Sequence, residues 1–184
     1  MKLRVFESIS VDGYFADRLG DIAWAHSGRQ DPEFGAWVAS NANQGGVLLF
    51  GRLTYQMMEA FWPTAAAAEQ MPEVARGMNA ARKVVASRTI KPTWINTERI
   101  EGDLAEAVRT LKAQDGRGIT VLGSGSIAVQ LGEAGLVDEY QFVVIPVALG
   151  GGRTIFTRQT ALHLVEQRAF RCGNVVLRYA TSQG

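Results

Sequence analysis

The sequence predicts an α/β domain in which a mixed, mostly parallel sheet lies between helices and carries antiparallel strands from the C-terminal part of the chain. Over the first two thirds, apolar runs typical of strands alternate with helical segments, and this alternation predicts parallel strands joined by crossover helices. Over the last third, strand-like runs follow one another, which predicts antiparallel additions. Helices on both faces would complete a three-layer α/β/α arrangement.

The composition is that of one ordinary domain. The 184 residues are 47% hydrophobic and contain no repeat or long linker, so residues 1–184 are predicted to form a single domain. The 19 Lys and Arg residues balance 18 Asp and Glu residues, which favours neither nucleic acid nor a membrane as a partner. The single cysteine, Cys172, predicts a cytoplasmic protein without an internal disulfide, and no zinc-binding pattern is present, so we expect no metal.

The first elements are predicted in the order strand, helix, strand. Leu3 to Ile9 alternate loosely between apolar and polar side chains, as a strand does, and their interspersed charges argue against a signal peptide or membrane span. Pro32 begins a helix, and the pair Gly45-Gly46 follows its end. The apolar run Val47 to Phe50 predicts a central strand that is covered on both faces.

Helices and strands then alternate as far as Gly135. A helix follows Gly51 and ends at Pro63, and a second short helix follows the alanine-rich segment 65–68. Leu104, Ala107, Val108 and Leu111 have the spacing of an amphipathic helix that packs on the sheet. The remaining strands are predicted at positions 83–87, 119–122, 140–145, around 162–165 and 175–179.

The segment Gly123-Ser124-Gly125-Ser126 joins a predicted strand to a predicted helix. Its glycines lack Cβ atoms, so that a diphosphate could approach the main chain, and its serines can donate hydroxyl hydrogen bonds. The helix, with Ser126 as its N-cap, would aim N–H groups and a positive dipole end at the anion. These residues predict a cradle for a nucleotide cofactor. An ordinary strand-to-helix turn made of small residues is the alternative interpretation.

The position of this segment disfavours the common nucleotide-binding folds. Gly123 and Gly125 with Ala128 fit the loose dinucleotide fingerprint, but they lie late in the chain, and no acidic residue ends the next strand. No lysine follows the glycines as it would in an NTPase. Two other strand ends carry small or basic groups, Gly51-Arg52-Leu53-Thr54 and Ser87-Arg88-Thr89.

Four motifs together carry a resemblance to a known family. They are Ser10-Val11-Asp12-Gly13, Leu49-Phe50-Gly51-Arg52-Leu53-Thr54-Tyr55, Val84-Val85-Ala86-Ser87-Arg88, and Gly135-Leu136-Val137-Asp138-Glu139 running to Pro146-Val147-Ala148-Leu149-Gly150-Gly151-Gly152. Over nearly its whole length the chain resembles the dihydrofolate-reductase-like superfamily, and most closely the C-terminal reductase domain of bacterial riboflavin-biosynthesis deaminase-reductases. The resemblance implies a stand-alone NADPH-dependent reductase with a dihydrofolate-reductase-like fold, usually a homodimer, that acts on a small molecule.

The resemblance assigns cofactor contacts to two of the strand ends. Gly51 and Thr54 would approach the diphosphate of NADPH, and Arg52 would meet the adenosine 2′-phosphate, for which a planar guanidinium is suited. Ser87 and Arg88 match the strand end that flanks the adenosine ribose. An ordinary solvated surface residue is the alternative interpretation of either arginine.

The resemblance also assigns the diphosphate loop and the reaction centre. Gly123 to Ile127 match the loop, while Ser8 and Ile9 would line the nicotinamide at the end of the first strand. Asp12 would begin the loop that covers the active site, with a direct role on the substrate or in proton transfer. A common Asp-Gly turn, in which the carboxylate bonds its own backbone, explains Asp12 as well.

The substrate side departs from the riboflavin-type enzymes. They carry a lysine on the first strand where this chain has Phe6, and a glutamate before the glycines where it has Leu122, so the phosphorylated ribosylaminopyrimidine of riboflavin biosynthesis is doubtful as the substrate. Tyr55 and Trp62 are candidate substrate contacts that could wall a flat ring, although core packing is the more frequent use of such residues.

Several functions remain open at this stage. The first is hydride transfer from NADPH to a C=N or C=O bond of a heterocyclic or sugar-derived substrate. Dihydrofolate reduction is an alternative, for which only Asp31 and Glu33 offer a carboxylate near the first helix, where N-terminal capping explains them equally. A non-enzymatic NADP-binding protein and a dimeric scaffold are the others.

Overall fold

An eight-stranded mixed sheet forms the centre of the protein. The computed structural model describes residues 1–28 and 30–182. The strands are β1 (Leu3–Ser10), β2 (Tyr14–Ala16), β3 (Val47–Gly51), β4 (Arg82–Ala86), β5 (Thr97–Ile100), β6 (Ile119–Leu122), β7 (Glu139–Ile145), β8 (Arg153–Thr154), β9 (Leu162–Ala169) and β10 (Val175–Thr181). In the large sheet their order is β5-β4-β3-β6-β1-β7-β10-β9.

The direction of the strands confirms the predicted sheet. Every neighbouring pair from β5 to β7 is parallel, whereas β10 is antiparallel to both β7 and β9. The carboxyl ends of β4, β3, β6 and β1 therefore meet at one edge of the sheet. In an open α/β sheet, ligands bind beyond these ends.

In the described residues, six α-helices and a short 3₁₀ helix cover the sheet. They are α1 (Pro32–Ala42), α2 (Arg52–Phe61), α3 (Ala65–Gln70), α4 (Pro72–Ala80), α5 (Leu104–Lys112) and α6 (Gly125–Glu133), with the 3₁₀ helix at Ala23–His26. Asp31 and Asp103 cap α1 and α5 with their side chains, in agreement with the predicted starts of these helices. Across the described ranges, none of the helices is long and apolar enough to cross a membrane.

The helices form two layers, one on each face of the sheet. On one face, Val108 of α5 and Leu131 of α6 pack against Val5 and its neighbours in the sheet. On the other face, α1, α2 and α4 pack against β3 and β4, where Phe50 and Tyr55 are fully buried. Each such side chain contributes roughly 1.5–3 kcal/mol through its removal from water. The three-layer α/β/α arrangement is confirmed.

Two features of the sheet were not predicted. The edge strand β5 has four residues, and β2 pairs with β8 in a separate ribbon that links the loop after β1 to residues 153–154. A Cβ atom on Gly152 would lie 2.1 Å from the carbonyl oxygen of Ala16, so this close approach requires glycine. The ribbon fixes the loop after β1 over the carboxyl ends of the strands.

Candidate active site at the carboxyl ends of the strands

Two of the predicted strand ends are in direct contact. Because β3 and β6 are parallel neighbours, Gly51 lies beside the loop that follows β6, and its N–H donates to Ser124 Oγ at 2.9 Å. A Cβ atom on Gly123 would lie 3.4 Å from Thr54 Cγ2. The structure thus brings Gly51, Thr54, Gly123 and Ser124 together, as the sequence predicts.

Ser124 adopts an unusual backbone conformation at the start of α6. Its φ of 62° and ψ of 56° lie in the left-handed region, which is uncommon for a residue other than glycine. Ser124 is the N-cap, and Ser126 lies inside the first turn, so the prediction that Ser126 caps the helix was wrong. Ser124 Oγ accepts from Gly51 and keeps its own proton to donate. In the first turn of α6, the Ile127 N–H donates to the Ser124 carbonyl at 2.8 Å, so by helix geometry the N–H groups of Gly125 and Ser126 are the ones left for an anion.

The space beside Gly125 is filled by the protein itself. A Cβ atom there would lie 2.1 Å from Cζ of Phe15, because the Phe15 ring packs directly on this glycine. The sequence predicts that a diphosphate approaches the main chain at Gly125. The structure corrects this prediction, because the Phe15 ring occupies that space. Gly125 is required for the docking of the loop after β1 onto α6, and it is buried, whereas Gly123 and Ser124 are half-buried.

The end of β4, the third of the predicted strand ends, borders a small cavity next to the cradle. Ser87 and Arg88, which follow β4, line a cavity of about 190 Å³ together with Ile127 of α6. Ser87 Oγ accepts the N–H groups of residues 89 and 90, at 3.3 and 3.2 Å, which orders this turn. Arg52 lies outside this cavity as the first residue of α2, with its exposed guanidinium 3.2 Å from Gln56 Oε1.

A larger cavity of about 780 Å³ lies on the face of the sheet that α1, α2 and α4 cover. Ser8 lines it from the end of β1, and Trp62 lines it from the end of α2. The indole N–H of Trp62 donates to Met58 Sδ at 3.0 Å, which fixes the ring. Ile9 has the opposite orientation on the strand and packs against the core below α5 and α6.

Tyr55 does not reach the large cavity. Its side chain is fully buried among Phe50 and Trp94, and its hydroxyl donates to Glu59 Oε1 at 2.8 Å. The predicted substrate contact at Tyr55 is therefore replaced by core packing in the structure. Of the two aromatic candidates, Trp62 is the one that lines the cavity.

Asp12 links the loop after β1 to the loop after β7 by hydrogen bonds. Its carboxylate accepts from the Ser10 hydroxyl at 2.6 Å, from the Leu149 N–H at 3.1 Å and from the Gly150 N–H at 2.7 Å. The hydrogen bond from Ser10, followed by those from the two amides, lowers the pKa of Asp12 to about 2. Such a carboxylate has no proton to give at neutral pH. The structure shows Asp12 positioning the two loops, and its role on the substrate or in proton transfer stays a prediction.

Glu7 is a residue that the sequence analysis missed. One carboxyl oxygen accepts the Ser8 N–H at 3.2 Å, and the other is buried without a hydrogen-bond partner among the described residues. Burial raises the pKa of Glu7 to about 8. A signal was present, because Glu7 continues the alternating row of Val5 and Ile9 on the buried face of β1.

His26 is the second residue that the sequence analysis missed. It ends the 3₁₀ helix and lines the large cavity, as Ser8 does. An imidazole can exchange a proton near neutral pH, which makes His26 the histidine of interest for proton transfer. Within the described part of the chain, no group of three or more His, Cys, Asp or Glu residues could hold a metal ion.

A family of known domains matches most of this chain. The family model of the RibD C-terminal domain matches residues 1–177. The chain belongs to the RibD C-terminal domain family. This is a family of reductase-like domains with the dihydrofolate-reductase-like fold, so the resemblance found in the sequence motifs is confirmed.

Individual relatives of this RibD C-terminal domain protein are distant. An uncharacterized Bacillus subtilis protein, YyaP, is 26% identical over 175 residues, which cover 94% of this chain and 90% of YyaP. A putative riboflavin biosynthesis protein from Shewanella sp. PV-4 has a similar structure, with a TM-score of 0.71, 20% identity and 99% of each chain covered. A pyrimidine reductase-like protein from Corynebacterium diphtheriae gives a TM-score of 0.61 at 13% identity, with 98% and 91% covered. The two structures support the fold.

Proposed function

We propose that this protein is an NADPH-dependent reductase that transfers a hydride to a C=N or C=O bond of a small heterocyclic or sugar-derived molecule. The observation that carries the proposal is the hydrogen bond from Gly51 to Ser124. It joins two strand ends into one cradle, in which small residues and helix N–H groups converge as a diphosphate requires. Membership of a reductase-like family supports the same reaction class.

The residues around the cradle fit a phosphorylated nicotinamide cofactor. The small cavity beside Ser87 has room next to Arg88 for the adenosine end. Two carboxylates also line it, but Glu101 pairs with Arg99 and Asp103 caps α5 by accepting a backbone N–H at 2.8 Å. Their partners reduce the repulsion of a 2′-phosphate, and the guanidinium groups of Arg52 and Arg88 would attract it. When bound, the reduced nicotinamide supplies the hydride.

The protein's own contribution is to position the substrate and to supply a proton. Ser8 marks the floor of the large cavity where the nicotinamide would lie, and Phe6, Leu122 and Trp62 provide apolar surface against which a flat ring can pack and water is excluded. We assign the proton to the imidazole of His26, because Asp12 is held ionised. His26→Gln is expected to remove one ionisation from the pH profile of kcat.

The cofactor is tested by titrating the protein with NADPH and NADH while following the melting temperature and tryptophan fluorescence. NADPH is expected to bind more tightly. Arg88→Gln is expected to weaken NADPH about tenfold and leave NADH unchanged, since a hydrogen bond to a charged group contributes about 1.5–3 kcal/mol. Arg109→Gln, an exposed α5 residue that lines neither cavity, is the matched control. If neither nucleotide raises the melting temperature at millimolar concentration, the proposal fails.

A non-enzymatic NADP-binding protein is the second candidate, which the apolar side chains of Phe6 and Leu122 favour. A panel of pterin, pyrimidine and carbonyl compounds separates the two functions, because only a reductase consumes NADPH absorbance. Dihydrofolate reduction has less support. Asp31 accepts N–H groups from residues 33, 34 and 172, Glu33 pairs with Arg168 at 2.8 Å, and neither carboxylate lines the large cavity.

We also propose that the protein forms a homodimer. The outer side of β9 has no neighbouring strand in the described sheet, and Leu164 and Val165 on this strand are 56% and 49% exposed. A second copy could cover this apolar edge and pair with the strand. Light scattering coupled to size-exclusion chromatography is expected to give twice the 20.0 kDa chain mass, and Leu164→Lys is expected to give the monomer.

A further inference from the structure

The large cavity changes in character along the strands that form its floor. Arg4, Phe6 and Ser8 alternate on β1, so their side chains point to the same face, and all three line the cavity together with Lys2, which directly precedes the strand. The two near the amino end of the strand are cationic, while those near the carboxyl end are apolar or small. A molecule that fills the cavity would therefore meet a basic end and an apolar end.

The basic end contains a surplus of positive charge. Four cationic side chains line it, and they face one lining carboxylate, Glu139. The four are Lys2, Arg4, Arg117 and Arg178. Glu139 is shared among three of them, at 3.6 Å from Lys2 Nζ, 3.9 Å from Arg4 Nε and 3.4 Å from the Arg178 guanidinium. Even with Glu166, which pairs with Arg178 at 2.9 Å, four cations meet two carboxylates.

Arg4 is the centre of this cluster and is incompletely paired. Its guanidinium donates to Gln141 Oε1 at 2.8 Å and makes long contacts of 3.4 Å with Gln44 Oε1. Among the described residues, no hydrogen-bond acceptor reaches its Nε atom, which is buried. Burial lowers the pKa of Arg4. The Arg4 side chain is 24% exposed, so the accessible part of its guanidinium is what an anion in the cavity would contact.

We propose that the cavity takes an elongated substrate with a flat apolar ring near Ser8 and a carboxylate or phosphate group at Arg4. The assignment of the ring end rests on the proposed reductase function. Four residues of extended strand separate the two positions, which is about 13 Å at a rise of roughly 3.3 Å per residue. The anionic group is thus held far from the transferred hydride, where it anchors and orients the substrate.

The location of the charge agrees with the apolar character of the other end. In the register of the sheet, Phe6 lies beside Leu122 and Arg4 lies beside Thr120 and Glu139. On β1 and β6, the floor of the cavity therefore has no charged side chain at the level of Phe6. The next side chain on the same face of β1, two residues nearer the amino end, is the cationic Arg4. The cation in register with Phe6 is Arg178 of β10, two strands away beyond Gln141, and it is already paired with Glu139 and Glu166.

The test uses 6-phenylhexanoate and its uncharged amide as probes of the full-length protein. Calorimetric titration is expected to give about tenfold tighter binding of the acid, since a charge-assisted hydrogen bond is the stronger one. Arg4→Gln is expected to remove this difference and leave the affinity for NADPH unchanged. Arg168→Gln, a cation that pairs with Glu33 outside the cavity, is the matched control and should behave as the wild type.

Two further measurements make the test independent of the stability of the Arg4 variant. Arg117 is an exposed cavity residue, so Arg117→Gln should fold and should weaken the acid but not the amide. Added salt should likewise weaken the acid alone. Equal affinities of acid and amide for the wild type, or unchanged acid binding in Arg4→Gln, would overturn the proposal. If the acid binds through Arg4 while NADPH does not bind, the basic end stands and the reductase function fails.

Discussion

Glutamine in place of Glu7 is expected to abolish a loss of stability that the wild-type protein undergoes as the pH rises from mildly acidic to alkaline. Burial raises the pKa of Glu7 from 4.5 to about 8. In the unfolded chain the carboxyl loses its proton near pH 4.5, and in the folded chain it keeps the proton up to about pH 8. Between these values the folded state binds more protons, so the free energy of unfolding decreases as pH increases.

The size of this loss follows from the difference between the two pKa values. Each pKa unit corresponds to about 1.4 kcal/mol, so the wild type would lose about 5 kcal/mol of stability from Glu7 by the time the pH exceeds 8. At pH 7 the loss is about 3 kcal/mol. The stabilising contribution is complete below pH 4.5. Glutamine is uncharged throughout, and the difference between variant and wild type isolates Glu7 from all other titrating groups.

The assay is urea denaturation followed by tryptophan fluorescence at intervals from pH 5 to pH 9. The two proteins should have similar stabilities at pH 5, and Glu7→Gln should be the more stable by several kcal/mol at pH 9. Glu69→Gln, an exposed substitution on α3, should follow the wild type at every pH. Parallel curves for Glu7→Gln and wild type would show that the carboxyl is ionised in the folded protein and would refute the reasoning.

Three other substitutions test the contacts that shape the site. Asp12→Asn should speed hydrogen exchange of the Leu149 amide, because that N–H loses a charged acceptor, and the wild type should show the same change only as the pH falls through about 2. Lys83→Met should lower the free energy of unfolding by about 2 kcal/mol, because the buried ammonium donates to three carbonyls at the end of α4. Gly125→Ala should cost about 1–3 kcal/mol by overpacking against Phe15, measured by thermal denaturation.

Each of these results has a matched control or a contradicting outcome. Lys91→Met replaces an exposed lysine and should leave the melting temperature within about 1 °C of the wild type. In the Phe15→Ala background, Gly125→Ala should cost little, since the ring that collides with the new Cβ is gone. If Gly125→Ala still lowers the stability in the Phe15→Ala background, the contact between Gly125 and Phe15 is contradicted. If Asp12→Asn leaves the hydrogen exchange of the Leu149 amide unchanged, the hydrogen bond between Asp12 and Leu149 is contradicted.

The elements that the sequence predicts correctly are those with a strong local pattern. Val47 to Phe50 is an uninterrupted apolar run and forms β3 almost to the residue, and the Asp103 cap with an apolar stripe gives α5. The missed elements lack such a pattern. Strand β5, Thr97–Ile100, has one apolar residue in four, and the β2–β8 ribbon joins segments that are more than 130 residues apart.

The corrected site residues depend on contacts that no local pattern contains. Ser124 rather than Ser126 holds the N-cap position of α6, with a left-handed backbone and no side-chain capping hydrogen bond. Its hydroxyl instead accepts from Gly51, which is 73 residues away in the chain. Asp12 finds its two amide partners 137 and 138 residues away. Tyr55 and Trp62 lie on the same helical face, and only the packing of Trp94 over Tyr55 places one in the core and the other at the cavity.

The sequence predicts the residues of the cofactor end of the site better than those of the substrate end, because the two ends are built differently. A diphosphate is bound largely by main-chain N–H groups, so its contacts are contiguous and need small residues in fixed positions, as at Gly123 and Ser124. The large cavity is lined by side chains from five strands, β1, β3, β6, β7 and β10, and from helices α1, α2 and α4, so its lining residues are scattered along the chain. Arg4 is one such residue. The cationic cluster around it forms only when β7 and β10 supply Glu139 and Arg178 beside β1, so the proposed anionic group of the substrate could be inferred only from the assembled sheet.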